Sequence, residues 1–127
     1  MKRDEYIDFA HLDGQEAIHA RLVNWARYVR NHPHLLPMQP MFRNAKTPRT
    51  LDVDRYMPPP IDQLDGLLIE KTVRQLPDRN RDALRWNYVY PSIFPMKMAR
   101  YLGISVGALA EAVKNGRFML KNNLQRR

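Results

Sequence analysis

The chain contains no cysteine and no long apolar run, and each absence excludes a class of protein. Without cysteine there is no disulfide framework, no thiolate nucleophile and no zinc site built on thiolates. No apolar stretch approaches the roughly 18 residues that a membrane span requires. The opening residues, MKRDEYIDF, lack the apolar core of a secretory signal. We therefore expect a cytoplasmic protein that does not bind membranes.

The sequence also shows no arrangement of residues that would carry catalysis. It has no glycine-rich phosphate loop and no recognisable Ser/His/Asp or Cys/His set. His32 and His34 lack a third ligand nearby, and Asp52 and Asp54 are more simply explained as loop carboxylates. We expect neither an enzyme nor a protein with a bound metal or cofactor.

The charge is strongly basic, and most of it lies toward the C-terminal end. Among the 127 residues, 21 Lys and Arg stand against 13 Asp and Glu, a net charge of +8. Residues 83–127 carry eight basic side chains and a single acidic one, Glu111. A basic excess of this size favours a polyanionic partner, with nucleic acid before membrane. The C-terminal third should therefore make that contact.

The positions of the ten prolines divide the chain into three segments. Seven of them fall between Pro33 and Pro60. Because proline removes a backbone donor and is excluded from helix interiors, residues 33–60 are predicted to form an irregular connector that packs on the core. Residues 1–32 then form an N-terminal helical segment, and residues 61–127 form a helical unit.

Apolar periodicity predicts an all-α fold. The segment QEAIHARLVNWARYVRN repeats apolar residues every three or four positions, which places Trp25 in the core of an amphipathic helix. The segment PIDQLDGLLIEKTVRQLP predicts a second helix that begins near Asp62 and ends at Pro77. Its predicted apolar face consists of Leu64, Leu68, Ile69, Val73 and Leu76. No segment alternates apolar and polar residues for long enough to predict a strand.

A third helix follows Pro77. Asp78 is predicted to cap this helix. Trp86 could belong to the core, or it could lie off the apolar face of this helix, where a partner could contact the indole.

The segment MKMARYLGISVGALAEAVKNGRFMLKNNL, around residues 96–120, predicts two helices joined by a tight turn. Met98 and Leu102 mark the buried side of a first helix of about two turns. Gly103 follows, where a left-handed residue can turn the chain without Cβ strain. Ser105 is a good N-cap for the second helix. Two helices joined by a short glycine-containing turn define a helix-turn-helix.

In DNA-binding helix-turn-helices the second helix lies in the major groove. The positions that would face the groove hold Val106, Gly107 and Ala110, none of which can make bidentate contacts with bases. The helix could therefore act mainly through basic side chains on phosphates, which position the protein without specifying sequence, or it could dock on protein instead. The predicted DNA-binding residues are Lys97, Arg100, Ser105, Val106, Gly107, Ala110, Lys114 and Arg117.

A longer segment, LPDRNRDALRWNYVYPSIFPMKMARYLGISVGALAEAVKNGRFML, resembles the fourth conserved region of bacterial sigma factors. The resemblance rests on a leading Leu-Pro pair, an R-x-A-L helix, an aromatic-rich turn and the A-x-x-L-G-I-S corner. The matching residues are Leu76, Pro77, Arg81, Ala83, Leu84, Tyr88, Tyr90 and Ala99 through Ser105. Sigma factors have a further domain for the promoter −10 element, for which this chain has no room.

Over roughly residues 20–124 the chain is more similar to the phage antitermination protein Q family. The similarity extends to RLVNWARYVRN, with its Asn-Trp pair, and to PPIDQLDGLLIEKTVRQLP. It implies a late-gene regulator of a temperate phage that binds DNA near the late promoter and makes a paused RNA polymerase resistant to terminators. The partners implied are double-stranded DNA and the host RNA polymerase, with or without its sigma factor, on the nucleoid or transcription complex of a bacterial host cell.

Two other functions remain open. The protein could be a helix-turn-helix repressor or activator that does not travel with polymerase. It could also be an adaptor that binds polymerase without specific DNA contact. The oligomeric state is open as well, because both the Trp25 helix and the proline-rich connector could form interfaces.

Overall fold

The computed structural model describes residues 14–35 and 60–126 as five α-helices and one turn of 3₁₀ helix. The described residues contain no strand, so the predicted all-α fold is confirmed. None of these helices combines the length and apolarity needed to cross a membrane. The helices are α1 (Glu16–Arg30), the 3₁₀ turn (Pro33–Leu35), α2 (Gln63–Val73), α3 (Asp78–Tyr88), α4 (Pro95–Leu102) and α5 (Val106–Gln125). Most of the predicted connector, with Asp52 and Asp54, lies outside the described residues.

Helices α1 and α2 form the first packed pair. Trp25 is fully buried in α1, as predicted. Gly66 lets α2 approach α1 closely, since a Cβ atom at this position would lie 2.5 Å from Cγ of Tyr28. At the start of α2 the Asn24 side-chain amide donates to the carbonyl oxygen of Asp62 and accepts from its amide nitrogen. These paired hydrogen bonds fix where α2 begins along α1.

Helix α2 has the predicted start, and Ile69, Val73 and Leu76 are buried as predicted, but its end and the position of Leu64 differ from the prediction. The Asp62 carboxylate caps the helix by accepting from the Asp65 amide at 3.0 Å. The helix ends at Val73, four residues before Pro77. The prediction that Leu64 is buried is wrong, since 83% of it is exposed. Leu64 lies two positions before Gly66, which is on the face toward α1, and two positions turn a helix by about 200°.

Helix α3 packs against α1, α4 and α5. The prediction that Asp78 caps it is wrong, because Pro77 holds the N-cap position and the helix begins at Asp78 itself. The Asp78 carboxylate instead forms an ion pair with Arg81 at 3.2 Å. Of the two placements open for Trp86, the structure has the one in the core. Its indole is fully buried and donates to the Ile93 carbonyl oxygen at 2.7 Å.

A buried carboxylate joins the first three helices. Glu70 of α2 is completely buried, and its two oxygens accept from both terminal nitrogens of Arg85 in α3, at 3.2 and 3.1 Å. It also accepts from the Trp25 indole of α1 at 3.0 Å and from Arg74 at 2.6 Å. Burial alone would raise the pKa of Glu70, but the hydrogen bonds and charge of Arg85, with Trp25 and Arg74, outweigh burial and lower it.

Replacing Glu70 with Gln should destabilise the fold by about 3 kcal/mol, because the buried Arg85 guanidinium would lose its counter-charge. Since folding lowers the Glu70 pKa, its carboxylate stabilises the fold fully above the ordinary value of 4.5, and this contribution is lost as the pH falls through the folded-state pKa. Urea unfolding of wild type and E70Q from neutral to acid pH measures both effects.

The exposed Glu16 in the first turn of α1 offers a matched control. E16Q makes the same chemical change outside the core and should alter the free energy of unfolding by less than about 0.5 kcal/mol. Equal losses for E70Q and E16Q at neutral pH would contradict the structural role of Glu70.

Candidate nucleic-acid interface

The two C-terminal helices are joined by the sharp turn that the sequence predicts. Helix α4 has eight residues, begins with Pro95 in its first turn and ends at Leu102. Gly103 adopts the left-handed conformation, with φ of 71°, and the Ile104 amide donates back to the Ala99 carbonyl oxygen at 3.0 Å. The Ser105 hydroxyl caps α5 by accepting from the Ala108 amide at 3.0 Å. The predicted left-handed glycine and serine cap are both present, but α5 continues to Gln125, five residues beyond the predicted end.

The outward face of α4 is both basic and apolar. Met98 is buried on the inner side, and Lys97 and Arg100 are exposed on the outer side, as a phosphate contact would require. Exposed apolar side chains accompany these two cations. They are Phe94, Met96 and Tyr101, exposed by 62%, 67% and 43%.

Helix α5 presents a stripe of exposed residues that only partly agrees with the predicted groove positions. Gly107, Glu111, Lys114 and Phe118 follow one another at helical spacing, and all four are exposed. Of the three residues predicted to face the groove, only Gly107 lies fully outside. The other two, Val106 and Ala110, are partly buried against the core.

The prediction that Arg117 contacts phosphate is wrong, because this side chain is completely buried. Its Nε donates to the Tyr88 hydroxyl at 2.9 Å, and its guanidinium lies 5.8 Å from the centre of that ring. One terminal nitrogen donates to the Gln15 side-chain oxygen at 3.4 Å. Arg117 stands four positions after Val113 and three before Leu120, so helical spacing places it on the inner face with these two buried residues.

The hydrogen bonds around Arg117 join α5 to α1 and α3. The Tyr88 hydroxyl accepts from Arg117, so its own proton can be donated to Nδ1 of His19, 2.7 Å away. The Gln15 side chain donates to the main-chain carbonyl oxygen of Lys114 at 3.1 Å. Burial raises the pKa of Tyr88, and the nearby Arg117 charge opposes that rise. This network fixes the rotation of α5 about its axis and therefore which side chains point outward.

Sequence reasoning missed a cleft between the beginning of α3 and the middle of α5. Its volume is about 310 Å³, and its polar lining comes from Arg79, Asn80, Glu111 and Asn115. Arg79 is exposed and forms no ion pair with any other residue in the described ranges. Arg79 lies before the basic segment that starts at residue 83, so the charge distribution did not point to it. For Glu111 and Asn115 the available signal was their four-residue spacing, which places both on one side of α5.

No metal-binding group is formed within residues 14–35 and 60–126, since no three His, Asp or Glu side chains come together there. The rings of His32 and His34 are 5.9 Å apart. His32 is already bonded through Nδ1 to the Tyr28 carbonyl oxygen at 2.8 Å.

Comparison of the chain with protein-family models, with curated proteins and with solved structures found no match in any of the three. A functional assignment therefore has to come from the residues of this chain and the resemblances that its motifs carry.

Replacing Arg117 with Met should reduce the free energy of unfolding by about 2–3 kcal/mol, because Tyr88 and Gln15 would lose a charged hydrogen-bond partner in the core. Lys114→Ala, three positions earlier on the exposed face, should change it by less than about 0.5 kcal/mol. Urea unfolding of the two variants makes the comparison. A destabilised K114A beside an unaffected R117M would reverse the assignment of these side chains.

Proposed function

We propose that the protein is a DNA-binding transcription regulator in which α4 and α5 act as a helix-turn-helix, with α5 in the major groove. One observation carries this proposal. Lys97, Arg100 and Lys114 are exposed on two helices that a left-handed glycine joins, while the opposite sides of both helices are buried in the core. In such motifs the first helix crosses the phosphate backbone and the second enters the groove.

The charge of this part of the chain supports the same proposal. Residues 83–127 have a single acidic side chain, and Lys121 and Arg126 add exposed cations toward the end of α5. With Arg117 buried, three of the four predicted phosphate contacts remain accessible. Three cations on phosphates are enough to make DNA binding clearly salt-dependent.

We further propose that this regulator is a phage late-gene antiterminator, which binds DNA near the late promoter and modifies a paused RNA polymerase. The resemblance to the antitermination protein Q family over residues 20–124 supports this finer proposal. Its three segments correspond to α1, α2 and the unit from α3 to α5, which share one hydrophobic core. The described residues within this region of resemblance therefore form one folded unit. Such a unit could contact DNA and polymerase at the same time.

The apolar surface of α4 favours a second candidate, an adaptor that binds polymerase without specific DNA contact. Phe94, Met96 and Tyr101 are exposed beside Lys97 and Arg100. Such a mixture suits a protein surface as well as a phosphate backbone, because aromatic side chains, Met and Arg are enriched at protein interfaces.

Replacing Lys97, Arg100 and Lys114 together with Ala should weaken binding to all duplex sequences to a similar degree, since phosphate contacts carry no sequence information. The slope of log affinity against log salt should become shallower by about 2 to 3, near 0.9 for each lost contact. Fluorescence anisotropy with a labelled duplex between about 50 and 200 mM salt measures both quantities.

Lys71→Ala provides the control, because this exposed lysine lies on α2, outside the proposed interface. It should leave the affinity and the salt slope almost unchanged. A triple variant with unchanged affinity and slope would exclude DNA contact by these helices. If that variant also kept wild-type binding to polymerase in a co-sedimentation assay, the adaptor would become the better interpretation.

A further inference from the structure

The outward face of α5 contains one residue that a purely phosphate-binding surface should avoid. Glu111 is the sole acidic side chain between residues 83 and 127, and it is exposed at the centre of the stripe between Gly107 and Lys114. It forms no ion pair with the described residues that could neutralise its charge. A free carboxylate repels phosphates, so at this position it lowers non-specific affinity for DNA.

The chemistry of base edges gives Glu111 a favourable role. In the major groove a carboxylate can accept a hydrogen bond from the amino group of cytosine, and an asparagine can bond adenine through two atoms. Asn115 is exposed one helical turn after Glu111, on the same cleft. At 1.5 Å per residue the two positions are about 6 Å apart along the helix axis. That distance corresponds to about two base-pair steps of roughly 3.4 Å.

On the side of the cleft formed by α3, a cation is available to contact the phosphate backbone of bound DNA. Arg79 lines the same cleft as Glu111 and Asn115 and is exposed. On α4 the exposed cations are Lys97 and Arg100, and both α3 and α4 pack on α5. Cations on α3 and α4 would therefore lie beside the Glu111 carboxylate and the Asn115 amide on α5.

We propose that Glu111 and Asn115 read the DNA sequence, Glu111 at a cytosine and Asn115 at an adenine about two base pairs away, while Arg79 contacts a phosphate. This inference rests on the proposed function, in which α5 enters the major groove. It moves sequence readout from Val106, Gly107 and Ala110 to the next two turns of α5 and to the side of the helix that faces α3.

Selection of bound duplexes from a randomised library, with the full chain, tests the inference. Wild type should enrich sequences with a cytosine and an adenine about two positions apart. Glu111→Ala, which removes the acceptor, should lose the preference for cytosine at its position, by roughly 5- to 150-fold in relative affinity, and keep the adenine preference. Asn115→Ala should lose the adenine preference alone.

Glu16→Ala is the matched control, since it removes the same side chain and charge from an exposed position on α1. It should raise affinity slightly at all sequences and leave the selected site unchanged. If E111A behaves in the same way as E16A, Glu111 does not read a base and the inference is wrong.

The remaining outcomes separate this inference from the proposed function. Wild-type binding to duplex DNA without any base preference would overturn the inference and leave DNA binding intact. Failure of wild type to bind any duplex would overturn both.

Discussion

The fold depends on one buried ion pair, between Glu70 of α2 and Arg85 of α3. Either charge alone inside the core would cost several kcal/mol, so α2 and α3 can bury these side chains only as a pair. The Trp25 indole adds α1 to the same carboxylate. Helix α1 is far from the basic end of the chain in sequence, but it thus becomes part of the same core as α4 and α5, the helices of the proposed interface.

Helix α3, which the Glu70–Arg85 ion pair holds against α2, in turn fixes the position of α5. The Asn80 side chain donates to the Ala112 carbonyl oxygen at 3.0 Å, and a Cβ atom at Gly116 would lie 3.1 Å from Cγ of Leu84, so the two helices lie in close contact. Arg117 then sets the rotation of α5 by turning inward to Tyr88. With Arg117 turned inward, Glu111 and Lys114 remain exposed on α5. The buried polar groups therefore decide which side chains the protein can present to a partner.

Features with a local cause could be predicted from the sequence. Gly103 and Ser105 have their conformations because of their own backbone freedom and hydrogen-bonding groups, and both were predicted correctly. The apolar face of α1 follows from residue spacing alone, and it was also correct.

Features that depend on distant residues were not predictable in this way. Arginine is usually found at the protein surface. The burial of Arg117 depends on Tyr88 and Gln15, which lie 29 and 102 positions away. Trp86 is buried in a helix, α3, that contacts three other helices. The periodicity of a single helix cannot show such contacts. The cleft that contains Arg79, Glu111 and Asn115 forms only when α3 packs on α5.

Single-round transcription in vitro from a phage late promoter, with a terminator downstream and a bacterial RNA polymerase, most directly tests the proposed antitermination. Addition of the protein should increase read-through, and the increase should require the promoter-proximal DNA sequence. Unchanged termination together with an altered rate of initiation would contradict antitermination and would instead indicate a regulator that acts at the promoter.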